Sequence, residues 1–192
     1  MPRKLICVAH TSAPILLRTD HGNASIDHED AFRLAARCLA SSVAVVAVRD
    51  DAKILAKTVS SFTTVSVLPQ LVSVWVGSRS PIAHAATMAD VFAVSILDAC
   101  QEDISVALSA PGSGARGTEA IGVTTTAVPS GAAAITGCLS WFDCRVHDLV
   151  EGGDHTMLIG RVTATGRREG NPLLYHDGRY RTLGTPASEH RT

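Results

Sequence analysis

Six consecutive residues, Val43-Ala44-Val45-Val46-Ala47-Val48, carry no polar side chain, and four of them are β-branched valines. The run is too short for an apolar helix and far too short to span a bilayer, so it reads as a buried strand. Arg49-Asp50-Asp51 turns the chain out of it into a second strand near Lys53 to Thr58. Residues 64–76 then alternate. Val72, Val74 and Val76 fall on one face, Ser73 and Trp75 fall on the other, and Pro69 breaks the run in two. Further strand patterns follow at 91–97, 123–128, 138–148, 155–166 and 179–183.

Helical signals are few. Asp27 stands as an N-cap before Glu29 and Asp30, and the spacing of Phe32, Leu34, Ala35, Ala36, Cys38 and Leu39 predicts a helix over about 28–40. Ser80-Pro81 is an N-cap followed by proline at the first helical position, and starts a short helix to about Ala89. Asp98-Ala99-Cys100-Gln101 resembles a capping box ahead of Ile104, Ala107 and Leu108. At least six short strands with few, short helices predict a mainly β, barrel-like α+β domain. Regular alternation of strand and helix is absent, which disfavours a doubly wound sheet. A chain of 192 residues is about one domain long. Residues 1–26 read as an N-terminal extension, 27–184 as the domain and 185–192 as a tail.

Composition removes several function classes. Lys plus Arg is 17 against Asp plus Glu 18, so no basic excess exists to coat a nucleic acid, and aromatics at 4% give few stacking platforms. Hydrophobic residues at 46% against 18% charged exclude global disorder. Cys7, Cys38, Cys100, Cys138 and Cys144 are odd in number and loosely spaced, so no disulfide framework is readable. With no membrane segment, the expectation is a soluble protein of a reducing compartment, the cytoplasm.

Two motifs mislead. Gly112-Ser113-Gly114-Ala115-Arg116-Gly117 matches the dinucleotide pattern G-x-G-x-x-G, but a helix precedes it and no acidic ribose partner follows about 20 positions on. It reads as a flexible loop. Cys138, Cys144, His147 and His155 fit no zinc spacing, and no metal site is expected. Two polar stretches carry more. Thr58-Val59-Ser60-Ser61-Phe62-Thr63-Thr64-Val65-Ser66 is either a strand with a hydroxyl-rich face or a loop whose N–H and hydroxyl groups grip an anionic, planar ligand. Arg79 beside the Ser80-Pro81 helix start adds a cation and unpaired N–H groups. The turn Gly152-Gly153 sets His155 at a strand start, on a barrel rim, with Asp154 placed to orient it.

The ordered set of pieces resembles the flavin reductase-like family, the reductases of two-component flavin-dependent monooxygenases. The pieces are Phe32-Arg33, Thr58 to Phe62 with Ser66 and Pro69, Phe92 to Leu97 with Gln101, Cys144-Arg145-Val146, Gly153-Asp154-His155, Ile159 to Val162, and Pro172 to Tyr180. The resemblance implies a split β-barrel, usually a homodimer, in which NADH or NADPH reduces FMN or FAD and the reduced flavin passes to a partner oxygenase. It places Ser41, Ser42, Val43, Thr58, Val59, Ser60, Ser61, Phe62, Ser66, Ser78, Arg79, Ser80 and Tyr180 at the flavin. Asp154 and His155 fall on the nicotinamide side, with His155 the candidate catalytic residue. The chain departs from the family pattern at Ser42, Ala56, Gln70 and Ala120-Ile121. The alternative these departures leave is a protein that holds its flavin tightly and does not turn over free flavin.

Overall fold

A computed structural model describes residues 27–184. The expected extension 1–26, with Cys7, and the tail 185–192 lie outside the described residues. The chain divides into two units, the first ending at Leu39 and the second starting at Ala40. In the first, helix α1 (His28–Ala36) ends four residues before the expected limit and Asp27 makes no side-chain cap bond. An i,i+4 ion pair between Glu29 and Arg33 supports it instead.

The second unit is built on seven antiparallel strands in the order β3-β2-β6-β9-β10-β5-β4. They are β2 (Ala44–Asp50), β3 (Lys53–Val59), β4 (Thr63–Val67), β5 (Gln70–Gly77), β6 (Val91–Ile96), β9 (Ser140–Gly152) and β10 (His155–Arg167). β1 (Ser41–Ser42) joins β11 (Leu174–His176) and β12 (Arg179–Arg181) in a small sheet, and β7 (Thr125–Ala127) pairs with β8 (Ala133–Ile135). The apolar run is continuous because β2 is covered on both faces. Val46 and Val48 enter one core with Val72, Val74, Val76, Phe92 and Leu158, while Val45 and Ala47 enter a second with Ile54, Leu97, Leu108, Ile135 and Leu173. The alternation in β5 holds, with all three valines in the first core.

The sheet curls until its two ends approach. The Ser61 hydroxyl, between β3 and β4, donates to the Trp75 carbonyl (3.1 Å) and accepts from the Trp75 N–H (3.0 Å). One side chain of the hydroxyl-rich stretch thus continues the β4–β5 register, in which Thr63 stands opposite Ser73. Helix α2 (Pro81–Ala89) begins as expected, with Ser80 Oγ accepting from the Ile82 N–H, and buries Ile82, Ala85 and Ala86.

Helix α3 (Glu102–Ser109) starts later than its sequence signal. The box closes a turn ahead of the helix: Cys100 N–H donates to Asp98 Oδ1 (3.0 Å), and Gln101 Oε1 accepts from Asp98 N–H (3.0 Å). The Cys100 N–H and the Arg168 guanidinium hold the Asp98 carboxyl below its usual range. The glycine-rich stretch is not a bare loop. Gly112 adopts φ +75° and opens a one-turn helix α4 (Ser113–Arg116), which is followed by a 3-10 turn at Glu119–Ile121. No helix among the described residues is long and apolar enough to cross a membrane.

Candidate active site

A groove of about 180 Å³ opens where β3 ends. Its lining is Val43, Thr58, Val59, Ser60, Ser105, Ser109, Tyr175 and Tyr180. Sequence reasoning named Val43, Thr58, Val59, Ser60 and Tyr180, and missed Ser105, Ser109 and Tyr175. The walls are stitched together. Thr58 Oγ1 donates to the Ser105 carbonyl (2.8 Å), and the buried Ser105 hydroxyl meets the Tyr180 hydroxyl at 2.9 Å. Tyr175 and Tyr180 stand edge to face across the β11–β12 hairpin, with centroids 5.5 Å apart. Ser41 pairs with Tyr175 and Ser42 with Leu174, which joins β1 to that hairpin; the two serines are not in the groove lining.

The other expected residues fall elsewhere. Phe62 is half-buried and packs on Phe142 (centroids 5.1 Å), against the first core. Ser61 bonds the Trp75 backbone of β5. Ser66 lies on β4, opposite Leu71. Ser78, which leads into Arg79 and Ser80, meets the β9–β10 turn in a second cluster. There Ser78 N–H donates to the Asp154 carbonyl (2.9 Å) and Thr156 Oγ1 to Ser78 Oγ (3.0 Å). Gly153, at φ +66°, makes the tight turn that sets Asp154 and His155 at the start of β10.

His155 Nδ1 lies 2.7 Å from Asp154 Oδ1. That hydrogen bond, then the charges of His155 and Arg79, hold the Asp154 carboxyl below its usual range. An ionised carboxylate only accepts, so Nδ1 carries the proton and Nε2 is the ring atom left for a ligand. The cluster reaches the groove's loop through β5: His155 pairs with Gly77, two residues beyond Trp75, which binds Ser61.

Cys144 is fully buried, and burial pushes its thiol up to about 12. Among the described residues, no three His, Cys, Asp or Glu side chains gather as a metal site.

Residues 36–184 match the model of the flavin reductase like domain. The chain belongs to this family. The flavin reductase barrel is also the fold of its structural neighbours. The NADH:FAD oxidoreductase SgcE6 of Streptomyces globisporus, solved with NAD and FAD fragments, superposes with a TM-score of 0.75 at 30% identity, over 85% of this chain and 98% of that one. The NADH-dependent FMN reductase AsuE2 of Streptomyces nodosus subsp. asukaensis is 35% identical over 161 residues, 81% of this chain and 85% of that protein. The reductase subunit of stachydrine N-demethylase from Rhizobium meliloti strain 1021 is 33% identical over 151 residues. That is 78% of this chain but 64% of that subunit, so the chain spans just under two thirds of that relative.

The groove's own chemistry fits a flavin. Two tyrosine rings and two valines offer flat apolar walls, and the exposed Ser60 and Ser109 offer hydroxyls, as a tricyclic ring with one polar edge requires. Two of the departures from the family pattern lie outside the groove's lining. Ala56 is buried in the second core, and Gln70 pairs with Val67 at the start of β5.

Proposed function

We infer that the protein is an NAD(P)H:flavin oxidoreductase that takes FMN or FAD from solution, reduces it and releases it to a partner oxygenase. The observation that carries this reading is the groove at the end of β3, in a chain of the flavin reductase family. When bound together, the two cofactors supply hydride transfer from nicotinamide C4 to flavin N5. The chain's task is to stack the rings with the reacting atoms about 3–3.5 Å apart. Val43, Val59 and Tyr175 flank the flavin ring, and the Ser60 and Ser109 hydroxyls, both on exposed residues, bond its polar edge. The β5–α2 junction, Ser78, Arg79 and Ser80, holds a phosphate at the start of α2. His155 Nε2 bonds the nicotinamide amide, and Asp154 fixes the ring. No residue acts as an obligate acid or base.

The protein works as a homodimer, in which the second copy covers the open side of the groove and completes the nicotinamide side. Its place is the cytoplasm, which suits the unpaired Cys38, Cys100, Cys138 and Cys144.

Steady-state oxidation of NADH and of NADPH with excess FMN, FAD or riboflavin tests the reading. Many turnovers of free flavin are expected. A single stoichiometric reduction of retained flavin would instead make this a holder of flavin. In the same assay His155→Ala raises the donor KM and leaves flavin affinity intact; an unchanged kcat/KM removes His155 from the site.

A further inference from the structure

The α3 wall of the groove is held by a lysine that does not line the groove. On β3, Leu55, Lys57 and Val59 share the face that looks into the first core, yet only the two apolar residues belong to it. Lys57 leaves that face around the sheet edge and brings its ammonium to the end of α3. There Nζ donates to the Ser109 carbonyl (3.0 Å) and the Ala110 carbonyl (3.3 Å) and lies 3.5 Å from Ser113 Oγ.

The last carbonyls of a helix have no partner within it, and its C-terminal end is partially negative. α3 has no basic residue in its own last turn. Lys57 therefore supplies, from more than 50 positions away, what the helix lacks. No carboxylate among the described residues pairs with it. Burial pulls the Lys57 pKa down from its ordinary value. The glycine-rich stretch finds its role here. A Cβ on Gly114 would stand only 4.0 Å from both Lys57 Cδ and the Ala56 carbonyl, so α4 lies against the lysine stem.

One residue further along β3, Thr58 binds the Ser105 carbonyl (2.8 Å), one turn earlier in α3. Thr58 lines the groove and Lys57 does not. We propose that Lys57 is a positioning residue of the flavin groove: by clamping the Ser109 and Ala110 carbonyls it fixes how far Ser105 and Ser109 stand from Thr58, Val59 and Ser60 across the slot. This rests on the flavin reading given above. Lysine is used because two carbonyls at the end of a helix need a charged donor on a long stem. Methionine would match the length and supply no donor.

The test compares the unaltered chain with Lys57→Met, Lys57→Gln and Lys57→Arg. The readouts are FMN and FAD affinity by flavin fluorescence quenching, KM for flavin and for the nicotinamide donor, thermal unfolding, and amide exchange across residues 105–110. In Lys57→Met, flavin Kd and flavin KM rise by about tenfold, because a small misplacement of a binding wall is enough for that. Exchange at 105–110 speeds up, and the donor KM is unchanged. Lys57→Arg restores flavin affinity to within about threefold, since two donors and the charge return. Lys57→Gln, which keeps an amide donor, gives the comparison if the methionine variant does not fold. A folded Met or Gln variant with unaltered flavin Kd overturns the proposal. So does equal weakening of flavin and donor with no rescue by arginine. If the unaltered chain binds neither FMN nor FAD, the flavin reading itself falls, whatever the exchange data show for α3.

Discussion

Replacing Phe92 by alanine lowers the unfolding free energy by about 3–5 kcal/mol, the range for deleting a buried phenylalanine. Phe92 is 0% exposed at the centre of the first core. Its ring lies over Gly160 of β10, where a Cβ would come within 2.5 Å of the ring and 2.8 Å of Cys144 Cβ. The pairing is a tongue in a slot: glycine provides the slot, so no side chain from that strand can move in when the ring is gone. Flanking strands hold their spacing through ladder hydrogen bonds, so the cavity collapses little. Against a typical total of about 5–15 kcal/mol, such a loss leaves the barrel near its threshold. Urea unfolding followed by tryptophan fluorescence checks it. A loss under about 1 kcal/mol would mean that this core is looser than the Gly160 contact implies.

Ser109→Trp abolishes flavin binding while leaving the fold intact. Ser109 is exposed and lines the groove from the last turn of α3, so an indole there projects into the slot and not into a core. Its backbone carbonyl still accepts from Lys57, and the short hydroxyl contact it loses is local, to the Val106 carbonyl. With a groove of about 180 Å³, one large side chain removes most of the space. Flavin Kd is expected to rise by about 100-fold or more, roughly 2.8 kcal/mol. The melting temperature should move little, because exposed substitutions away from special features stay within about 0.5 kcal/mol. Unaltered flavin affinity in a folded Ser109→Trp chain would move the flavin out of this groove.

Much of the barrel can be read from the residues. The Val43–Val48 run, the Val72–Val74–Val76 alternation and the Ser80-Pro81 helix start depend on local patterns, and each appears where those patterns put it. The Asp98–Gln101 box forms but precedes α3, because its hydrogen bonds are local and do not lie within the helix. Asp98 is held through Arg168, 70 residues on. The site is less legible for a similar reason. In the hydroxyl-rich stretch, Ser60 and Ser61 are neighbours of one type, yet one lines the groove and the other bonds the Trp75 backbone. Only the curl of the sheet separates them. Phe62 reads as a ring beside a ligand, and its half-buried ring also packs on Phe142 against the first core. Ser105 and Ser109 sit one turn apart on α3, a spacing that marks one helix face. No local signal says that this face meets β3, or that the β11–β12 hairpin brings Tyr175 to the same place.

The most direct measurement is a crystal structure of the protein soaked or grown with oxidised FMN or FAD. The expected result is the isoalloxazine ring seated between the end of β3 and α3, in contact with Thr58, Ser60, Ser109 and Tyr175, with one face left open for the nicotinamide. A ring found elsewhere on the barrel, or a groove filled by the chain's own side chains at saturating flavin, would contradict the account.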